Sequence, residues 1–283
     1  RINSLINIDL YGRKFDSNFL LDKPNINNFS WSNLDFNFVS FEGVRVNIDA
    51  NFDEFIFKEL SLLEHKSNFR IIDNNLLIEN FTGTNSNKGD YDLKGNMIMD
   101  DLPSLELAVN ASKFNLKDIL ASFFTTKQFD GLVNFSGNFS THGHTPAMFI
   151  NQLQANGKFA AANVKIDKLG VTNLIKAIAK LHKDPKNAIN KPLAEFMSTG
   201  QTTFQKATGS VAIDKGSLII PDLQFSNELT SANSVGKVDL KNMLLNINSA
   251  FIFKAYYNSG QKVSSSNLRF NHQLAGGVNR KFC

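Results

Sequence analysis

The stretch DLPSLELAVNAS, residues 101–112, has a near-copy in DLKNMLLNINSA, residues 239–250, 138 positions further on. Leu105, Leu107 and Val109 alternate with Glu106, Ala108 and Asn110. Met243, Leu245 and Ile247 alternate with Leu244, Asn246 and Asn248, and Phe251 and Phe253 continue the series. A period of two is the signature of a strand with one dry and one wet face. Such strands need neighbours along their edges and a cover for their apolar side.

The pattern fills most of the chain. Val44, Val46 and Ile48 oppose Arg45, Asn47 and Asp49. Further strands are expected at 5–10, 34–41, 69–72, 76–81, 89–99, 131–139, 153–160, 162–167, 201–206, 208–214, 217–225 and 230–239. Turn residues punctuate them: Gly12, Glu42-Gly43, Asp73-Asn74-Asn75, Lys88-Gly89, Asp214-Lys215-Gly216 and Ser226-Asn227. Two helices stand out. One spans 115–124, with an apolar stripe at Leu116, Ile119, Leu120 and Phe123; the other spans 171–181, or 170–182 with its flanks. Residues 192–199 could add a further turn or two. The lysines of the second helix, Lys176, Lys180 and Lys183, lie off its apolar face and suit either a membrane surface or a cap on a sheet edge.

About 14 strands at ~4.8 Å each make a sheet on the order of 65 Å wide, and an open sheet of that width curls or splits. The expected fold is mainly β: a long curled antiparallel sheet forming a hydrophobic groove, with two or three short helices. The chain divides into a β-rich, repeat-like groove segment over 1–126 and a β module over 127–283 that carries the helix at 170–182. The competing architecture is a structural or adhesive β-sandwich whose apolar faces close on one another.

Composition narrows the function classes. Phe occurs 26 times against one Trp. A large apolar surface would explain this, and so would A/T-rich codons, since Asn, Ile and Lys are abundant as well. The net charge is +4, but the lysines are scattered and form no phosphate-tracking run, so no nucleic-acid partner is expected. No apolar run reaches the ~18–20 residues that span a bilayer. The first residue is Arg1 rather than Met, which is expected of a piece of a longer polypeptide whose anchor lies elsewhere. Cys283, the single cysteine, has no internal partner.

Reactive constellations are missing from the sequence. It has no nucleophile elbow, no phosphate-binding loop and no zinc-type spacing. His142-Gly143-His144 is a pair without a third ligand and reads as a loop. Asp53-Glu54 and Asp100-Asp101 are adjacent, so their carboxylates point apart on a strand. The expectation is a non-enzyme without metal or cofactor.

A succession of loose phrases adds a resemblance. Asp130-Gly131-Leu132-Val133-Asn134-Phe135-Ser136-Gly137 is followed by His142-Gly143-His144-Thr145-Pro146, by Asn156-Gly157-Lys158-Phe159, and by 164–174 beginning Val164-Lys165-Ile166-Asp167. Thr202-Thr203-Phe204, 208–216 and Val235-Gly236-Lys237-Val238-Asp239-Leu240 complete it. In order and spacing, residues 130–253 resemble the carboxy-terminal region of the AsmA family, within the wider group of TamB and the bridge-like lipid-transfer proteins. Residues 80–112, with Asn80-Phe81-Thr82-Gly83 and Lys94-Gly95-Asn96-Met97, resemble the strand module before it.

The resemblance implies a curled sheet with a hydrophobic concave side and a non-enzymatic role in moving phospholipid towards the outer membrane and in outer-membrane assembly. It implies a periplasmic location at the inner membrane, reached through an anchor outside this chain, and phospholipid acyl chains as partners. Leu105, Leu107, Val109, Met243, Leu245, Ile247, Phe251 and Phe253 are the expected groove wall. A rib of 10 residues is about 33 Å long at ~3.3 Å per residue.

Overall fold

The computed structural model describes residues 4–20, 32–123, 128–171, 173, 200–228, 230–241, 244–256 and 265–277. Among them is one sheet of 13 strands, paired in sequence order from first to last. The strands are β1 (Ser4–Asp16), β2 (Val44–Phe57), β3 (Leu60–Ile72), β4 (Asn75–Asn85), β5 (Asp90–Ile98) and β6 (Ser104–Asn115), then β7 (Phe129–His142) and β8 (Gln154–Asp167). They continue with β9 (Gln201–Asp214), β10 (Ser217–Ser226), β11 (Thr230–Asp239), β12 (Leu244–Tyr256) and β13 (Ser265–Gly277). Two helices interrupt them, α1 (Leu116–Phe123) and α2 (Pro146–Gln152).

A single open sheet is not a sandwich, so the closed-core alternative fails. The sheet runs without a break from β6 into β7. All pairs are antiparallel except the first: β1 lies parallel to β2, Ser4 opposite Val44 through Asp16 opposite Ile56. The long stretch from residue 17 to 43 gives room for the crossover that parallel pairing requires.

The strand at 34–41 is not formed. Residues 32–41 run irregularly along the turns at one end of the sheet. The Phe36 N–H donates to the carbonyl of His144 at 2.8 Å, the Ala147 N–H donates to the carbonyl of Ser32 at 3.0 Å, and the Phe41 N–H donates to Asn74 Oδ1 at 2.9 Å. With no free strand edge beside it, the segment satisfies its backbone on turns and packs Phe36 edge-on against Phe149 of α2, 4.9 Å away. Of the helix expected over 170–182, Gly170 is not helical, Val171 and Asn173 are, and the other residues lie outside the described ones.

Several strands are longer than their alternation suggests because bulges reset it. Glu64, Lys113 and Asn163 have φ of 50°, 50° and 53° inside β3, β6 and β8. The register shifts between Leu63 and Lys66 and between Ala111 and Phe114. Residues facing the apolar side therefore run Leu62 then His65 on β3, Ala111 then Phe114 on β6, and Ala161 then Val164 on β8. A bulge inserts one residue, bends its strand and increases the local twist. Repeated on strand after strand, it curls a wide sheet.

The core gathers towards the end of the strands that lies beyond these bulges. The row Phe114–Val133–Ala161–Ala207 is buried across β6 to β9, with Val164 at 1% and Phe204 at 0% exposure beneath it. Helix α1 closes over the same end. Its Leu116 and Ile119 pack on the core, and Ser122 Oγ accepts from the Glu59 N–H at 3.2 Å, tying the helix to the β2–β3 turn. Truncating Phe204 to Ala should cost about 3–5 kcal/mol in chemical denaturation. A loss below about 1 kcal/mol would show that this end is not the core.

Candidate functional site

Above the bulges the same face changes character. The row Tyr91–Ala111–Phe135–Phe159–Gly209 is the last to pack on the core. The next rows, Leu93–Val109–Gly137–Gly157–Val211 and Gly95–Leu107–Phe139–Ala155–Ile213, are almost wholly apolar and, up to β8, only partly covered. Their neighbours Glu106, Ala108, Asn110, Asn138 and Asn156 face the other side and are exposed. The lower part of the apolar face is thus filled by the protein's own side chains, and its upper part across β5 to β8 is left half-open.

Leu105, Leu107 and Val109 lie in that half-open part, side by side on β6 and all half-buried. Met243 lies outside the described residues. Leu245, Ile247, Phe251 and Phe253 sit on β12 in register with Val238, Gly236, Ala232 and Thr230, but their side chains lie outside the described residues. The structure brings the first three together; β12 is six strands away from β6 in the sheet.

Two phenylalanines of this floor were not recognised from the sequence. The ring of Phe135 lies over Gly137 and Gly157: a Cβ on either would sit 2.7 or 2.9 Å from it. Phe159 covers Gly209 in the same way, at 2.9 Å. Each Gly therefore makes room for a ring laid flat across the neighbouring strand, a known way to shield a strand glycine. The signal was present as Phe135-Ser-Gly137 and Gly157-Lys-Phe159, aromatic and glycine two apart on one face.

Two adjoining hollows, of about 760 and 500 Å³, share Ala108, Asn138 and Asn156. The smaller runs along Gly137 and Gly157 without touching Phe135, which covers those glycines on the apolar side. It opens on the polar face. Its amide and hydroxyl lining suits water, and no convergent carboxylate pair lies there.

A buried polar cluster lies on the apolar face at β3 and β5. His65, 1% exposed, has its ring 4.7 Å from Phe55 and 4.4 Å from Phe81. Its Nδ1 is 2.7 Å from Tyr91 Oη and its Nε2 is 3.2 Å from Ser67 Oγ. Burial pushes the imidazole pKa down to about 4 and pushes the Tyr91 hydroxyl up. The Tyr91–His65 bond crosses β4 above Gly83, where a Cβ would lie 2.5 Å from Tyr91 Oη. The three polar groups satisfy one another out of water, so the cluster ties β3 to β5 rather than offering a reactive group.

His142 and His144 are exposed, and no group of three His, Cys, Asp or Glu able to hold a metal occurs among the described residues. Among those residues no helix is long and apolar enough to cross a membrane.

The AsmA family model matches residues 20–223. The match takes in β2 and β3, which the resemblance does not reach, leaves out β1, and stops at Leu223 within β10, short of β11 and β12. No curated protein and no solved structure matches the chain.

Two outcomes follow for the buried cluster. A histidine whose folded pKa lies below its unfolded value of ~6.5 stabilises fully above that value, and the contribution is lost as pH falls towards about 4. The unfolding free energy should drop by up to about 3 kcal/mol across this window, and His65→Phe should flatten the dependence; an equal slope in the variant would exclude His65 as its source. Gly83→Ala should lower the unfolding free energy by about 1–3 kcal/mol. Gly12→Ala, whose Cβ would meet only Phe52 at 3.4 Å, should not.

Proposed function

Because the chain belongs to the AsmA family, a lipid-transport family of the bacterial envelope, we propose that it is a non-enzymatic carrier of phospholipid whose acyl chains lie on the half-open apolar face of β5 to β8. The observation that supports this reading most is the pair of rows through Leu107 and Val109. Four strands in succession, β5 to β8, present Leu, Val, Phe, Ala or Gly to one side, and the covering that fills the rest of that face thins out there.

Physical chemistry makes such a surface attractive to hydrocarbon. Each methylene moved from water onto it is worth roughly 0.8 kcal/mol. Four strands at ~4.8 Å each are about 19 Å wide, against a leaflet hydrocarbon depth of about 15 Å, half of the ~30 Å bilayer core. An acyl chain fits across the rows without bending. Binding needs no reaction and no metal, and headgroup chemistry stays outside the apolar strip.

In this reading the protein works on the periplasmic side of the inner membrane, held there by an anchor outside this chain, and passes phospholipid towards the outer membrane. Leu105, Leu107 and Val109 form the wall on β6; Leu245, Ile247, Phe251 and Phe253 on β12, with Met243 ahead of that strand in the chain, extend it.

Purified protein should carry phospholipid detectable by mass spectrometry. Leu107→Asp and Val109→Asp should each reduce uptake of a fluorescent phospholipid at least about tenfold, the order of magnitude of losing a few buried methylenes, while the thermal midpoint stays close to that of the parent. Delipidated parent protein that takes up no lipid would refute the proposal.

A further inference from the structure

One end of the sheet, opposite the packed core, carries large apolar side chains out into solvent. Leu34 is 80% exposed, Val39 73% and Leu102 50%, with Phe38 and Met148 also exposed. They come from three separate pieces of chain: the irregular segment 32–41, the β5–β6 turn and α2. The pieces are held together. Phe36 packs against Phe38 and Phe149 at 5.4 and 4.9 Å, and the Gly143 N–H donates to the Pro103 carbonyl at 2.9 Å. Thr145 caps α2 by accepting from the Met148 N–H at 3.1 Å. The apolar side chains therefore stand on a fixed rim, at the end of the strands to which the half-open face runs.

The charge of this rim is mainly negative. Across residues 32–43, 73–75, 99–103 and 142–153 the acids are Asp35, Glu42, Asp73, Asp100 and Asp101, all exposed, and there is no Lys or Arg. The neighbouring turns at the same end, where Gly216 lies against Ile150 of α2 and against Lys241, add exposed Lys215 and Lys241 beside Asp214 and Asp239. Arg45, just beyond, has its Nε buried. Protruding apolar residues ringed by carboxylates complement a surface that offers hydrocarbon beneath a layer of ammonium groups.

We propose that this rim docks directly on a lipid bilayer rich in phosphatidylethanolamine, with Leu34, Val39 and Leu102 entering the headgroup–acyl boundary and Asp35, Asp100 and Asp101 accepting hydrogen bonds from the primary ammonium groups. Choline cannot donate such bonds, and an anionic headgroup is repelled. The proposal rests on the lipid-carrying reading above: it supplies the place where a chain leaves the membrane for the apolar face. A protein partner with a basic apolar segment is the competing occupant. The bilayer is favoured because the apolar side chains come from three pieces of chain and are interspersed with exposed Asp35, Asn37, Ser40 and Asp101.

Vesicle flotation tests this. The protein should float with phosphatidylethanolamine–phosphatidylcholine vesicles, less with phosphatidylcholine alone and least with phosphatidylglycerol. The triple change Leu34→Ser, Val39→Ser, Leu102→Ser should weaken flotation at least about tenfold, with thermal midpoint and uptake of detergent-delivered fluorescent lipid unchanged. Asp35→Asn, Asp100→Asn, Asp101→Asn should abolish the preference for phosphatidylethanolamine. Parent protein that takes up delivered lipid but does not float, floats best with phosphatidylglycerol, or floats equally after the triple serine change overturns the rim alone. Failure to take up delivered lipid strikes the carrier reading instead.

Discussion

The ladder of main-chain hydrogen bonds between successive strands is the constraint from which the rest of the molecule follows. Each strand pairs with its neighbours in sequence, so the described residues form one ribbon with two faces and no opposing sheet. The backbone within the sheet is satisfied by this pairing. The apolar side chains are not, because nothing of equal area among the described residues is placed against them. The protein covers part of that face with α1 and with residues such as Phe114, Val164 and Phe204 packed together, and leaves the remainder thinly covered.

Most strands were legible because two-residue alternation is a local property. Where legibility failed, the bulges explain it. The break read between 160 and 162 falls two residues before Asn163, whose positive φ shifts the inward series from Ala161 to Val164 within the one strand β8. The break at Ala207 falls where β9 follows β8 in unchanged register, its buried series passing from Phe204 to Ala207. Residues 60–68 of β3 were missed for two reasons: the period slips at Glu64, and two of its inward residues, His65 and Ser67, are polar. A strand that buries a hydrogen-bonded histidine looks wet from sequence alone.

Other errors came from tertiary context. Leu34-Asp35-Phe36-Asn37-Phe38 alternates like a strand but has no edge to join. Helix α2 has the Thr145 cap and Pro146 start that mark a helix, yet seven residues with no buried member leave no stripe to read. Of the candidate site, the β6 wall was legible as a pattern. The flat-lying Phe135 and Phe159 were not, because their role depends on glycines that become neighbours only through pairing.

Those flat rings also govern how a guest could move. A floor of upright side chains is a comb of ridges and notches, and a hydrocarbon lying on it settles into one register. Rings spread over glycines at successive strands level that relief, so neighbouring positions differ little in energy and the barrier between them is low. Such a surface holds a tail by area rather than by shape: it grips without choosing where along its breadth the tail rests.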